Sequence, residues 1–362
     1  MEQENNTMTR FYITCIAALW VPACASEVVE TSSDQQASLE VQGTQLQGTQ
    51  LQGTQLQGTQ LQGTQLQGMT MQGFQFAGAT LGGAALANVR VEHGELVAEQ
   101  DQVRLHGASL IGAHLLAQLR TLNADPPVTA LIEYRISNIV AEDAKYDPTK
   151  TGSTFLYTLE QNVDHRDSWQ PACPADLDGR RVAIPLAATW SAHGDRIESS
   201  SLFTFGCTTG VIAKCYRWGY RPWLTGYGDL PAVHWACTRL ARADYCGDGV
   251  SHTEENTWVN VWDDLSGPGP IQAHGTRPVG GMSFEAAWNT TGAVCLSRTR
   301  WKQTMKQIAA ICPARRMPWG EARKICDNVE DAFNNGLVVL LFNESFGDPL
   351  HHPGMTLGPV RP

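Results

Sequence analysis

A single apolar residue recurs at every fifth position from Val41 to Leu96, through Leu46, Leu51, Leu56, Leu61, Leu66, Met71, Phe76, Leu81, Leu86 and Val91. The unit Thr-Gln-Leu-Gln-Gly stands five times in succession and then drifts into Phe74-Gln-Phe-Ala-Gly78 and Ala84-Ala-Leu-Ala-Asn88. A period of five suits neither an α-helix nor a flat strand, whose apolar periods are about 3.6 and 2. Two folds remain: a coil that closes after a fixed number of units, or a flexible Gln/Gly-rich spacer. Register is kept even where the motif decays, as at Phe76, Leu81 and Leu86, and a spacer has no reason to keep it.

The repeat over residues 39–98 resembles the pentapeptide-repeat family, whose chains wind a right-handed square β-helix. In that family the central Leu or Phe and a small residue two before it face inward. The Leu row matches, and Thr44, Thr49, Thr54, Ala79 and Ala84 fill the small row. Met69, Phe74 and Val89 are bulkier than that row takes, and Gln replaces the family's Asp or Asn before the Leu. The resemblance implies a short β-helix of three coils, which at strand spacing would stand only about 15 Å tall. No charged residue lies between Val41 and Val89, so a stack here lacks the acidic surface of family members that mimic DNA.

Ahead of the repeat, Phe11 to Ala23 is a short apolar stretch preceded by Arg10. It is too short for a bilayer helix and has the form of a secretory signal. The fit is better if translation starts at Met8 than at Met1, because Glu2 and Glu4 then drop out. Val21-Pro-Ala-Cys24 resembles a bacterial lipobox, which implies lipidation of Cys24 as the first mature residue; Pro22 departs from that pattern. Ala25 after the cysteine leans towards an outer-membrane destination. The expected partners are therefore a membrane, reached through the lipid, and an unknown protein or cell-wall glycan. The expected location is exported: outer membrane-anchored, periplasmic or at the cell surface.

Charge and cysteine content fit that reading. The net charge is −10, from 26 basic and 36 acidic residues, which argues against a nucleic-acid partner. No apolar run reaches the roughly 18 residues of a spanning helix. Cys15 lies in the signal and Cys24 is the lipid candidate. The other eight, Cys173, Cys207, Cys215, Cys237, Cys246, Cys295, Cys312 and Cys326, all follow residue 170. An even set in an exported chain reads as disulfides.

The domain order expected is a signal at 1–23, a tether at 24–38, repeats at 39–98, a β-rich part at 99–200, a Cys/Trp-rich part at 201–346 and a disordered tail at 347–362. Strands are expected at 103–105, 109–111, 129–141, 154–161 and 182–190, with hairpin turns at Asp178-Gly179 and His193-Gly194. His165 between Asp164 and Asp167 reads as a solvated loop. Val211, Ile212, Cys215 and Trp218 fit a short helix. Asp229 and Pro231 start a second, with Val233, Ala236, Cys237 and Leu240 on its apolar face. Phe284–Trp288 and Ala293–Leu296 read as a hairpin, and Leu337–Phe342 as a buried strand. Two further helices are expected, one burying Met305, Ile308, Ala309 and Cys312, the other Ala322, Ile325, Cys326, Val329 and Phe333. Their cysteines make Cys312–Cys326 the one pairing proposed from pattern. The fold class is thus α+β: a short β-helix or spacer, then a disulfide-stapled, β-rich domain.

The string Ala243-Asp-Tyr-Cys-Gly-Asp-Gly249, with Phe203–Cys207, Trp218–Trp223 and His234–Cys237 before it, resembles the ADYC domain, named for residues 243–246. The resemblance covers about residues 100 to 345 and implies a secreted architecture behind Leu-Gln-Gly repeats. It implies no activity and no cofactor. Chemistry must come from the residues. Cys246 could serve as a thiol nucleophile with His252 or His234 as base and Asp244 or Asp248 as orienting acid. His234-x-x-Cys237 has metal-ligand spacing, with Cys246, His252 or Asp248 as partners. Asp244, Asp248, Glu254 and Glu255 could form a calcium loop, without the alternation such loops show. Trp218, Tyr220, Trp223, Trp235, Trp258 and Trp262 could present an aromatic face to glycans or peptides, or could pack against disulfides. The structural reading leads: a non-enzymatic structural or binding module, with a secreted hydrolase at Cys246/His252/Asp244 and a glycan- or peptide-binding face as alternatives.

Overall fold

The computed structural model describes residues 46–47, 56–61, 74–120, 129–142, 154–163, 168–176, 178–191, 193–199, 202–253, 257–273, 282–300, 308, 310–312, 326, 328–334 and 338–345. The signal, tether, Cys24, the Asp164–Asp167 loop, Glu254, Glu255 and the tail from 346 lie outside these residues.

One antiparallel sheet dominates. Its members are β3 (Phe74–Leu81), β4 (Ala84–Glu92), β5 (Glu95–Gln100), β6 (Val103–His106), β7 (His114–Arg120), β8 (Thr129–Ala141), β9 (Phe155–Val163), β10 (Gln170–Pro171), β11 (Val182–Leu186) and β14 (Thr204–Cys207). Their spatial order is β14-β11-β9-β8-β7-β3-β4-β5-β6, with β10 also on β9. Bulges at 76–78, 87–90 and 136–138 bend the sheet, as an inserted residue does. The β4–β6 end folds back until the backbone N–H of Leu96 donates to the Tyr157 hydroxyl of β9 (2.9 Å). The enclosed core includes Leu86, Leu96, Leu115, Ile132, Tyr134, Leu159, Phe203 and Phe205. This sheet takes strands from each of the parts expected at 39–98, 99–200 and 201–346.

The later repeats do not coil as a β-helix. Residues 74–106 instead run as an antiparallel meander, and its turns give the reason. Gly82-Gly83, His93-Gly94 and Asp101-Gln102 all have positive φ, the conformation of a two-residue hairpin that reverses the chain. Val91 and Leu96, five residues apart, face each other across one such turn. At the Gly82-Gly83 turn the fivefold positions do not meet: Leu81 opposes Ala84, and Leu86 opposes Ala79. Of the earlier units only β1 (Leu46–Gln47) and β2 (Leu56–Leu61) are described, and they pair antiparallel. The other repeats before 74 lie outside the described residues. Ser109–Ile111, expected as a strand, falls on a 3₁₀ turn over Gly107–Leu110 and its exit.

A second sheet has the order β1-β2-β15-β18-β16-β17, with β15 (Thr257–Asp263), β16 (Ser283–Asn289), β17 (Gly292–Leu296) and β18 (Leu341–Ser345). Strand alternation sends neighbouring residues to opposite faces. Val261, Ala286, Trp288, Leu296 and Leu341 pack towards the helices, while Trp262, Ala287, Cys295 and Phe342 face the other way. The connection that carries His193-Gly194 spans residues 191–195, closed by the Ser191 N–H on the Asp195 carbonyl (2.9 Å), between β12 (Ala188–Trp190) and β13 (Arg196–Glu198), a separate small pair. The expected strand at 182–190 is therefore two strands in two sheets.

Helix α1 (Val211–Arg217) lies between the sheets: Val211 and Cys215 face α2 (Leu230–Arg242), while Ile212, Ala213 and Tyr216 face β11 and β12. Asp229 caps α2, its carboxylate accepting from the N–H of Ala232 (3.1 Å), with Pro231 in the first turn. On the far face of the second sheet, α3 (Val329–Asn334) buries Ala332; Phe333, expected inside, is 47% exposed. Among the described residues no helix is long and apolar enough to cross a membrane.

Four disulfides tie these layers: Cys173–Cys207, Cys215–Cys237, Cys246–Cys312 and Cys295–Cys326. The expected Cys312–Cys326 pair is wrong for a clear reason. Cys312 packs on the α2 side of the second sheet and Cys326 on the α3 side, so the sheet stands between them.

Candidate functional site

The Ala243–Cys246 motif sits where α2 ends, and each of its residues has a structural task. Ala243 takes the left-handed conformation (φ +53°) that stops the helix; the small side chain limits the strain of that turn. Asp244 is fully buried and ion-paired to Arg239. Its two oxygens also accept the N–H groups of Asp248 and Gly249 (both 3.1 Å), which shapes the following loop. Burial pushes the Asp244 carboxyl up, against the pull of Arg239. Tyr245 stacks on Trp288 (5.4 Å) and His252 (6.1 Å). Its hydroxyl donates to Glu285 (3.1 Å) and accepts from the N–H of Arg300 (2.7 Å). Cys246 is bonded to Cys312.

Two buried arginines lock this corner. Arg239 reaches the carbonyl of His193, the carboxylate of Asp195 (2.7 Å) and the carbonyl of Thr290 (3.2 Å) as well as Asp244. Arg300 forks onto Glu285 (Nε to Oε2 3.1 Å, Nη2 to Oε1 3.0 Å) and donates to the carbonyls of Leu240 and Ala241. Those carbonyls lie in the last turn of the helix, where a cation suits them; that of Leu240 also accepts the N–H of Ala243 (3.0 Å). Gly247 and Gly292 let the motif loop press against the β16–β17 turn: a Cβ on Gly247 would stand 2.0 Å from the carbonyl oxygen of Thr291.

This geometry corrects the chemical candidates. Cys246 has no thiolate to offer while it is bonded to Cys312. Asp244 is committed to Arg239 and the loop, and His252 is packed on Tyr245. At the second candidate, Cys237 is bonded to Cys215. His234 is buried with Nε2 3.0 Å from the carbonyl of Ile212, which makes Nε2 the protonated nitrogen. Asp248 accepts from the N–H of Val250 (2.9 Å) within its own turn. Among the described residues no three His, Cys, Asp or Glu side chains gather as metal ligands. The aromatic face divides: Trp218, Tyr220 and Trp262 are core residues, Trp235 donates to the carbonyl of Gly194 (3.0 Å), and only Trp223 of the described set lines a cleft.

His234 carries a testable consequence. Burial, with Arg196 nearby, pushes its pKa down to about 3. An unfolded chain titrates it near 6.5, so U takes up the proton first and stability falls as pH drops from about 6.5 towards 3. Acidification from pH 7 to 5 is expected to cost about 2 kcal/mol through this residue. In urea titrations at both pH values, His234→Gln should be less pH-sensitive than the parent by that amount; an equal slope would show that His234 is not buried neutral.

The cleft is the more open feature. It has a volume of about 410 Å³ and lies between the His93-Gly94 turn, the β11–β13 segment and the loop carrying Pro222 and Trp223. Trp223 leans on Tyr216 (centroids 4.8 Å apart). Gly94 admits it: a Cβ there would stand 2.4 Å from the Trp223 ring. Arg196 lines the same cleft beside Glu198, its ion-pair partner. Sequence reading missed Arg196 and Arg300 because neither lies in a motif. Only the density of Trp pointed towards Trp223.

Fold and site together define a disulfide-stapled α+β domain whose signature motif builds a helix terminus, with an aromatic cleft beside it. The chain belongs to the ADYC domain family, whose model matches residues 107–302. Residues 42–76 match the pentapeptide-repeat model in eight copies. No curated protein and no solved structure matches the chain.

Proposed function

We propose that this is an exported, lipid-anchored envelope protein whose ADYC domain is a non-enzymatic binding module, with the Trp223 cleft as its ligand site. The observation that carries the reading is the fate of the motif. Asp244, Tyr245 and Cys246 are all consumed in holding α2 to the second sheet, and the eight cysteines after residue 170 stand in four bonded pairs. Such pairing belongs to an oxidising compartment, which supports export; Cys24 is the proposed lipid site. The described repeat strands pair into the sheets of the domain, β2 on β15 and β3 on β7, so the repeats serve as part of its scaffold.

The test is a thiol count on the exported protein. Alkylation under denaturing, non-reducing conditions followed by mass spectrometry should label none of the eight cysteines and should give the four bridges named above. Lipid mass on a Cys24 N-terminal peptide is expected from the same digest. A labelled Cys246 would overturn the non-enzymatic reading and reopen hydrolase chemistry with His252. An unmodified Cys24 in the membrane fraction would remove the anchor.

A further inference from the structure

Arg196 is an unusual lining residue. Its side chain is only 4% exposed, whereas that of its ion-pair partner Glu198 is 63% exposed. Its Nε–H has no hydrogen-bond partner. The guanidinium lies against Trp190, 5.9 Å from the ring centroid, and burial lowers its pKa to about 10. A cation so placed needs carboxylates, and two act on it: Glu198, on an exposed side chain, and Asp229, from the start of α2. Glu92 is the second acid of the cleft, but it is already engaged by Arg90 (2.6 Å) and Arg104 (2.8 Å). Asp229 is held in the α2 cap by the N–H of Ala232 (3.1 Å), so the carboxylate that a ligand could replace on Arg196 is that of Glu198.

The walls narrow the ligand further. Trp223 is fixed between Tyr216 and the Gly94 turn, and Pro222 and Pro231 stiffen the loop beside it, so the cleft is preformed. An aromatic face carries negative charge density and takes the C–H face of a saturated ring. We propose that the cleft binds the terminal residue of an acidic sugar, its ring against Trp223 and its carboxylate replacing that of Glu198 on Arg196. This rests on the binding-module reading and names its ligand class.

Glu198 is then an internal competitor, which gives the test its sign. The full, oxidised chain is titrated with a disaccharide ending in glucuronate and with its counterpart ending in glucose, by calorimetry and tryptophan fluorescence. The acidic sugar is expected to bind about tenfold more tightly, the worth of one charge-assisted contact. Glu198→Gln, at an exposed position, should tighten it about threefold by removing the competitor. Trp223→Ala and Arg196→Gln should each weaken it by about tenfold or more. Arg196 is buried and its replacement can disturb folding, so the opposite sign at Glu198 decides. Equal binding of both sugars, or weaker binding by Glu198→Gln, overturns the carboxylate assignment and leaves the binding module standing. Binding of a short peptide through its C-terminal carboxylate, abolished by amidation, with neither sugar bound, overturns the sugar and keeps the cleft. No binding of any of these probes overturns the inference and the binding-module reading together.

Discussion

Replacing Arg300 by methionine is expected to destabilise the protein by about 3–5 kcal/mol, the cost of leaving a buried charge without its partner. The change strands the Glu285 carboxylate at a site with no solvent and takes the guanidinium from the carbonyls of Leu240 and Ala241. Adding Glu285→Met in the same chain should return a large part of the loss, because the unpaired charge is then gone as well. The return stays incomplete, since the Tyr245 O–H loses its acceptor and the carbonyls of Leu240 and Ala241 lose the guanidinium. Urea unfolding with the disulfides intact reads both variants and their coupling. A loss under about 1 kcal/mol for the single variant would mean that the fork between Arg300 and Glu285 does not hold the helix end.

Gly247→Ala is expected to cost about 3 kcal/mol or more, through a different mechanism. Its φ of +70° already disfavours a side chain, and the new Cβ would have to push back the backbone of Thr291. That backbone belongs to the tight turn of the β16–β17 hairpin, so relief requires moving the hairpin off the motif loop. Gly179→Ala supplies the control. It has a similar φ of +74° with nothing within 4 Å of its Cβ, and should lose only the left-handed penalty of about 1–2 kcal/mol. The difference between the two unfolding free energies measures how firmly the motif loop is seated. Equal losses would show that the contact is loose.

Local structure was legible where short-range chemistry dictates it. Asp229 and Pro231 mark a helix start because an N-terminal N–H needs a side-chain acceptor and proline has no N–H to waste, and α2 begins there. The strand at 129–141 and the hairpin at 284–296 follow from β-branched and aromatic alternation. What sequence could not give is partnership across the chain. Asp244 reads as an orienting acid or a calcium ligand until Arg239, one turn back on the helix, is seen to claim it. Cys246 reads as a nucleophile until Cys312 arrives from 66 residues away. Trp218 and Trp262 read equally as a binding face or as core, because sequence counts aromatics without saying which side of a sheet each occupies. The repeat misled in another way: a period of five satisfies a square coil, yet Gly82-Gly83 and His93-Gly94 reverse the chain, and at the second turn the same spacing sets Val91 opposite Leu96.

The bridges differ in how they follow one another along the chain. Cys173–Cys207 and Cys215–Cys237 each join consecutive cysteines, whereas Cys246–Cys312 and Cys295–Cys326 interleave. Among the eight cysteines after residue 170, oxidising each thiol with the next one to appear would form the first two bonds correctly. It would then join Cys246 to Cys295, and Cys312 to Cys326, and trap the second sheet half-built. Reaching the native set from there requires thiol–disulfide exchange between two bonds at once, so the C-terminal half of the domain depends on an isomerase or on folding ahead of oxidation, and the N-terminal half depends on neither.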